Sequence, residues 1–172
     1  MTVPGNDLLI LAASCGENLK LADRFADAAV SIGRLAQVID LTADPPPLFT
    51  PRSQKVIRPQ QVLQLQTALA GASHWLICAP EYNGSIPPVL TSAIAWLSVQ
   101  GDDFRALFNH RPIAIASHSG SGGIECLTAL RIQLAHLGAH VVGRQLVCHA
   151  EKPARQESIA AVLEALFKLS AA

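Results

Sequence analysis

The stretch 79–98, APEYNGSIPPVLTSAIAWLS, joins a buried strand to a helix. The residues WLICA at 75–79 are almost wholly apolar, which is typical of a strand covered on both faces of a parallel sheet. Proline and glycine then predict an exposed loop over 81–85 and a helix that begins at the proline pair 87–88. Apolar residues recur every three or four positions over 89–97, so one face of this helix packs on the sheet. The loop is therefore expected above the carboxyl end of the strand, where open α/β sheets bind ligands.

The same alternation of strand and helix runs along the chain. Apolar runs of strand length occur at 7–13, 34–40, 73–79, 111–117 and 139–148, with amphipathic helical patterns between them and after the last. This order predicts an α/β protein with a doubly wound parallel sheet of five strands. Asn18 fits the N-cap of the first helix, and Gly33 fits its end. The last helix is expected to begin at Pro153.

Four prolines fall within residues 41–53, and they predict a loop without a helix or a central strand. Leu48 and Phe49 are apolar residues inside this loop. We expect them to pack on the sheet of the same chain or on a neighbouring subunit. A long surface connection is the alternative.

Composition limits the classes of function. The 172 residues, half of them hydrophobic, suffice for one core, so we expect a single domain over 1–172. Thirteen basic and thirteen acidic residues balance, which gives no electrostatic signal for nucleic acid or an anionic membrane. The four cysteines and six histidines show no metal-ligand spacing, so no metal site is predicted. Free thiols and the absence of a long apolar run favour a soluble, cytoplasmic protein.

Residues 80–98, PEYNGSIPPVLTSAIAWLS, closely resemble the signature of the NADPH-dependent FMN reductase family. That family includes quinone, azo-dye and chromate reductases. The resemblance implies a three-layer, flavodoxin-like fold with strand order 2-1-3-4-5. It also implies FMN as cofactor, NADPH or NADH as co-substrate, a small-molecule electron acceptor, and a homodimer or homotetramer.

In that strand order, the loops after strands one, three and four are neighbours and converge on one ligand. The resemblance implies that the loop after strand three flanks the flavin ring, through Pro80, Glu81, Tyr82, Asn83 and Gly84. It places the FMN phosphate at the first loop, where Ser14 and Asn18 meet a helix amino terminus. In the loop SHSGSGG at 117–123, the hydroxyls of Ser117 and Ser119 and the backbone at Gly120 are expected at the pyrimidine edge.

The flavin supplies the redox chemistry in this interpretation, so no catalytic side chain is predicted. Glu81 could instead be a solvated charge and Tyr82 a packed aromatic residue. A packed or solvated His118 is favoured over a proton donor. Ser121 lacks the G-x-S-x-G context of a hydrolase nucleophile. Trp96 is expected in the core.

The stretch ASCGENLKLA at 13–22, which contains the loop after strand one and the start of the next helix, differs from the usual family pattern. It is shorter, has no arginine and carries Glu17, whose charge would oppose a phosphate. Ser14 and Asn18 could then be a plain strand end and helix cap. At the level of the whole protein, the alternatives are an electron carrier without its own NAD(P)H turnover and a scaffold that has lost FMN.

Overall fold

The computed structural model describes residues 6–56, 59–120 and 122–169. Its strands are β1 (Leu8–Ala12), β2 (Ala36–Asp40), β3 (His74–Cys78), β4 (Pro112–His118), β5 (His140–Val141) and β6 (Leu146–Cys148). Its helices are α1 (Glu17–Ser31), α2 (Pro51–Val56), α3 (Gln60–Ala70), α4 (Pro88–Ser98), α5 (Ile124–His136) and α6 (Gln156–Phe167). The strands form one parallel sheet in the order β2-β1-β3-β4-β5, with β6 also paired to β4. The predicted α/β class and the strand order 2-1-3-4-5 are confirmed.

Both faces of the sheet are covered, which gives the three layers. Alternate strand residues point to opposite sides, so Leu9 and Leu11 join one buried cluster while Leu8 and Ile10 join the other. The first cluster includes residues of α3, α4 and α5, and the second includes residues of α1 and α6. All of β1 and the residues 75–78 of β3 are therefore buried on both sides, as their apolar sequences predict, whereas His74 at the start of β3 is partly exposed.

The predicted fifth strand at 139–148 is wrong as a continuous element. The edge of the sheet is divided into β5, which pairs with the start of β4, and β6, which pairs with its end. Gly143 and Arg144 lie between them and are exposed. An edge strand bonds on one side only, so it tolerates such an interruption.

The proline-rich segment is also more ordered than the sequence predicts. α2 begins at Pro51, because proline is compatible with the first turn of a helix, so the loop predicted over 41–53 ends earlier. The Trp96 indole N–H donates to the Pro47 carbonyl over 2.7 Å, and the Phe49 and Trp96 rings meet edge to face at 5.2 Å. Phe49 thus packs on α4 of the same chain, whereas Leu48 is 73% exposed.

The first residues of α4 and α6 can be compared with the predicted ones. α4 begins at Pro88, as predicted, and Trp96 is buried in the core. α6 begins at Gln156, three residues after the predicted Pro153, because 149–152 forms a small antiparallel bridge first. None of the helices in the described ranges combines the length and apolar character that a bilayer-spanning segment needs.

Candidate functional site

Three loops meet at the carboxyl edge of the sheet. β1, β3 and β4 run parallel, with Ala12 paired to Cys78 and Cys78 paired to Ala116, and β4 extends two residues further to His118. Backbone bonds continue one residue past each strand, from the Ala13 amide to the Cys78 carbonyl and from the Ala79 amide to the Ala116 carbonyl. The loops that follow are therefore held side by side, as the strand order requires. We name them the first loop (13–16), the second loop (79–87) and the third loop (119–123).

The first loop ends in a run of unused backbone donors. Among the residues that the structure describes, the amides at 14–18 have no hydrogen-bond acceptor, whereas the Leu19 and Lys20 amides bond to the Gly16 carbonyl. Gly16, not Asn18, is the N-cap of α1, so the predicted cap is wrong. Free amides at a helix amino terminus attract an anion, because the helix dipole adds to their partial charge. Ser14 is half-buried beside these amides.

Asn18 does not cap α1; its side chain bonds to the backbone at the end of β4. Its side chain is 2% exposed and pairs with the backbone of one distant residue, His118. The amide nitrogen donates to the His118 carbonyl over 2.8 Å, and the amide oxygen accepts from the His118 N–H over 2.9 Å. These two bonds join the start of α1 to the end of β4. The Asn18 amide oxygen and one of its N–H groups are thereby occupied by protein, so its predicted contact with the phosphate is not its main interaction.

The negative charge of Glu17, which would oppose a phosphate at the first loop, is balanced by the positive charge of Lys20. Its carboxylate accepts from Lys20 over 2.6 Å on the exposed side of α1. The hydrogen bond and the positive charge of Lys20 lower the pKa of Glu17, so it stays ionised and paired at neutral pH. The net charge that the pair presents to the first loop is zero.

The second loop carries a tight turn at its tip. Tyr82 and Ser85 form two backbone hydrogen bonds with each other, of 3.1 and 3.0 Å. Asn83 and Gly84 between them have φ angles of 53° and 67°, as in a type I′ turn. The Asn83 side chain is exposed, and Tyr82 is 49% exposed, so both side chains are accessible from solvent.

The base of the second loop is fastened to the third loop and to α5. The Glu81 amide donates to the Ser119 hydroxyl over 3.1 Å, and the Glu81 carboxylate accepts from the Cys126 amide over 3.2 Å. The Cys126 thiol also approaches the carbonyl of the buried Pro80 at 3.5 Å. Cys126 lies in the first turn of α5, where a carboxylate is stabilised by the helix dipole. Glu81 is therefore a link between the loops and not a solvated charge.

The third loop is built on a close approach at Gly123. Gly123 has a φ of +80°, and a Cβ there would lie 2.6 Å from the Cβ of Ser117 and against its hydroxyl. Ser117 is fully buried beneath it, and its hydroxyl has no hydrogen-bond partner in the described part of the chain. Ser119 is 8% exposed, while Gly120 is exposed with open space around it. Of the predicted residues here, Gly120 is thus the accessible one, and Ser121 lies outside the described residues.

Comparison with known proteins decides the family. The profile of the NADPH-dependent FMN reductase family matches residues 7–152. The chain belongs to this family. The match spans all three loops, so the resemblance inferred from residues 80–98 is confirmed.

Individual relatives of this FMN reductase family member are distant. It is 27% identical to an NADPH azoreductase from Bacillus sp. strain OY1-2 over 114 residues, 64% of this chain and 60% of the azoreductase. It is 32% identical to an NAD(P)H-dependent FMN reductase from Schizosaccharomyces pombe over 63 residues, 37% of this chain and 28% of that protein. The chain therefore matches less than two thirds of the length of either relative.

A solved structure confirms the fold over nearly the whole chain. The flavoenzyme NAD(P)H:(acceptor) oxidoreductase FerB from Paracoccus denitrificans superposes with a TM-score of 0.77 and covers 96% of this chain and 99% of its own. The two sequences are 19% identical, so this likeness concerns the fold alone.

The family implies FMN as cofactor and NADPH as co-substrate, and the donor set of the three loops fits FMN. The unused amides at 14–18 suit the phosphate. The exposed turn at 83–84 and the exposed backbone at Gly120 present polar groups on two loops that the bond from the Glu81 amide to the Ser119 hydroxyl joins, which suits the polar rim of a flavin ring. Two groups that hold the loops together were not identified from the sequence: the Cys126 amide and the His118 backbone. No local pattern marks them, because their partners, Glu81 and Asn18, lie 45 and 100 positions away along the chain. The close approach of Gly123 to Ser117 in β4 was not predicted either, although Gly123 belongs to the glycine-rich run at 117–123.

The cysteines of this FMN reductase family member differ sharply in accessibility. Cys15 in the first loop is exposed, whereas Cys78, Cys126 and Cys148 are buried. Burial, with a smaller effect of Glu81, raises the pKa of Cys126 to about 11. We expect iodoacetamide at pH 8 to label one thiol of the native protein and four after denaturation. Mass spectrometry of the labelled peptides checks this. Rapid labelling of Cys126 would contradict the contacts that bury Cys126 against Pro80 and Glu81.

Proposed function

We propose that this protein is an NAD(P)H-dependent oxidoreductase that holds FMN across the three loops and passes electrons to a small acceptor such as a quinone, a free flavin or an azo compound. The observation that carries the proposal is the run of unused amides at 14–18, on the loop that neighbours the exposed turn at 83–84 in the strand order. These features suit the two polar ends of FMN. When bound, FMN accepts a hydride from the nicotinamide and delivers electrons to the acceptor.

The chain's own residues have positioning roles in this proposal. The first-loop amides and Ser14 bind the phosphate. The backbone of Glu81, the side chain of Asn83 and the backbone of Gly120 orient the ring, and Tyr82 limits solvent access to it. The fastening of Glu81 to Ser119 and Cys126 keeps the second and third loops at a fixed separation, which suits a planar ligand between them.

Titration of purified protein with FMN, followed by flavin fluorescence, tests the proposal. We expect saturable binding, and we expect the bound flavin to bleach anaerobically when NADPH is added. Asn83→Ala should weaken binding about tenfold, since it removes an exposed amide from the tip of the second loop. Gln100→Ala is a control remote from the loops.

Two results would redirect the proposal. Binding without bleaching by NADPH or NADH would favour the electron carrier. No binding at all would favour a scaffold that has lost FMN.

The ion pair of Glu17 and Lys20 provides a second test of the first loop. Lys20→Ala leaves the Glu17 charge unpaired near the phosphate, so we expect the Kd for FMN to rise about two- to fivefold. The double variant Lys20→Ala/Glu17→Gln should restore the wild-type Kd. Neither the single nor the double variant should shift Tm, because both side chains of the pair are exposed. An equal loss in Lys20→Ala and in the double variant would mean that Lys20 itself binds the phosphate.

We also propose a homo-oligomer that forms through the segment after β2. Leu48 and Val56 are 73% and 76% exposed, the two highest exposures among the large hydrophobic side chains of the described residues. Sedimentation equilibrium is expected to give at least twice the mass of the chain, and Leu48→Asp combined with Val56→Lys is expected to give a monomer. A wild-type monomer at micromolar concentration would refute this contact.

A further inference from the structure

His110 and His140 form a pair at the end of the sheet opposite the three loops. His110 precedes β4, and His140 is the first residue of β5. Nδ1 of His110 lies 3.5 Å from Nε2 of His140, and both side chains are exposed. The rings meet at 73° with their centroids 5.3 Å apart. β4 has seven residues, so about 20 Å separates this pair from the third loop.

The distance between the two nitrogens suits a shared metal ion. A separation of 3.5 Å is at the long limit for a hydrogen bond. Two imidazole nitrogens bound to one tetrahedral zinc ion, each at about 2.0–2.1 Å, lie about 3.4 Å apart. Adjacent ligands of a square-planar ion would have to approach to about 2.9 Å. The separation of the two nitrogens therefore matches that of two ligands on one tetrahedral zinc ion.

The backbone holds the two histidines in this arrangement. The His110 amide donates to the Gly138 carbonyl, and the His140 amide donates to the Arg111 carbonyl, each over 2.9 Å. Gly138 has a φ of +91°, and a Cβ there would lie 2.5 Å from the side-chain oxygen of Asn109, so the two turns are in close contact. The pair is thus placed before any ion arrives, which lowers the cost of binding.

His110 also has an uncommon backbone conformation. Its φ is 60°, and among the described non-glycine residues only Asn83 shares a positive φ. Such a conformation costs free energy and persists where the surroundings demand it. At Asn83 it forms the tip of the second loop. At His110 it belongs to the turn that the bond from the Arg111 amide to the Phe108 carbonyl closes, and the ring of His110 lies next to His140.

We propose that His110 and His140 bind one Zn²⁺ ion, with water in the remaining coordination positions. The described residues contain no group of three or more metal-ligating side chains, so the protein supplies two ligands and the affinity should be in the micromolar range. The ion would link the starts of β4 and β5 and stabilise the short edge strand. This site is independent of FMN and of the proposed oxidoreductase activity.

Isothermal titration calorimetry with ZnCl₂, on protein without an affinity tag, tests the site. We expect one ion per chain, at least a tenfold loss of affinity in His110→Gln and in His140→Gln, and no change in His136→Gln. His136 is an exposed histidine of α5 and serves as the matched control. Zinc at one hundred times Kd should raise Tm by about 5 °C or more in the wild type, but not in the two histidine variants.

Three outcomes would overturn the proposal. They are the absence of saturable binding, binding that survives in both histidine variants, and an equal loss in His136→Gln. Zinc held by the exposed Cys15 would give the second result. FMN affinity, measured in the same variants, should stay at the wild-type value, and this separates loss of the zinc site from misfolding.

Discussion

Gly123→Ala is expected to lower the free energy of unfolding by about 3 kcal/mol and to weaken FMN binding at least tenfold. The new methyl group would lie 2.6 Å from the Cβ of Ser117 and against its hydroxyl, in a backbone with a φ of +80°. Ser117 belongs to β4 and is fully buried, so it has no room to withdraw. The backbone strain at residue 123 and the steric clash with Ser117 therefore both lower the free energy of unfolding. Thermal unfolding should show a fall in Tm of about 6–12 °C.

Gly120→Ala is the matched control in the same loop. A Cβ at Gly120 meets nothing within 4 Å, and its φ is not positive, so we expect no change in Tm beyond about 1 °C. Ser117→Gly combined with Gly123→Ala removes both clashing atoms but leaves the strained backbone. This double variant should regain about half of the free energy of unfolding that Gly123→Ala loses. Equal destabilisation by Gly120→Ala and Gly123→Ala would refute the close approach as the cause.

The elements predicted well from the sequence are those whose signals are local. The proline pair at 87–88 starts α4, and the apolar runs of β1 and β3 mark strands buried on both faces. Each of these depends on residues within about ten positions of one another, and each alternates with a helix. This alternation was sufficient to predict the layers and, with the resemblance, the strand order.

The errors in prediction have a common physical origin in distant contacts. Asn18 looks like an N-cap locally, yet its amide pairs with His118, which is 100 residues away along the chain. The interruption of the edge strand depends on its pairing with the two ends of β4. Glu81 looks like an exposed charge in its loop, yet it bonds to the first turn of α5. Tertiary partners of this kind leave no periodic pattern in the sequence.

Asn18→Ala is the second substitution for which we expect a large effect. It leaves the N–H and the carbonyl of His118 without their partners beside the first loop, which should cost about 3 kcal/mol of stability. Because the same bonds hold the start of α1 against β4, FMN affinity should fall at least tenfold as well. Thermal unfolding and FMN titration of the same preparation measure the two effects.

Ser14→Ala is the control that distinguishes a residue that contacts the FMN phosphate directly from one that, like Asn18, holds the first loop in place. Ser14 has no side-chain hydrogen bond in the described part of the chain, so its loss should reduce FMN affinity without a change in Tm. A fall in FMN affinity without a change in stability at Asn18 would instead mean that Asn18 binds the phosphate directly. In that case its bonds to His118 would be incidental.

Asn18→Asp should convert this contact into one that depends on pH. The aspartate keeps an oxygen that accepts from the His118 N–H, but its second oxygen faces the His118 carbonyl, which repels it when ionised. Burial and this repulsion raise the pKa of the new carboxyl above the value of about 3.9 in the unfolded chain. The protonated acid can donate to the carbonyl, so the variant should approach wild-type stability near pH 4. Its stability relative to wild type should fall as the pH rises to 7. A difference in Tm between variant and wild type that stays constant from pH 4 to pH 7 would show that packing, and not the paired hydrogen bonds, fixes α1 to β4.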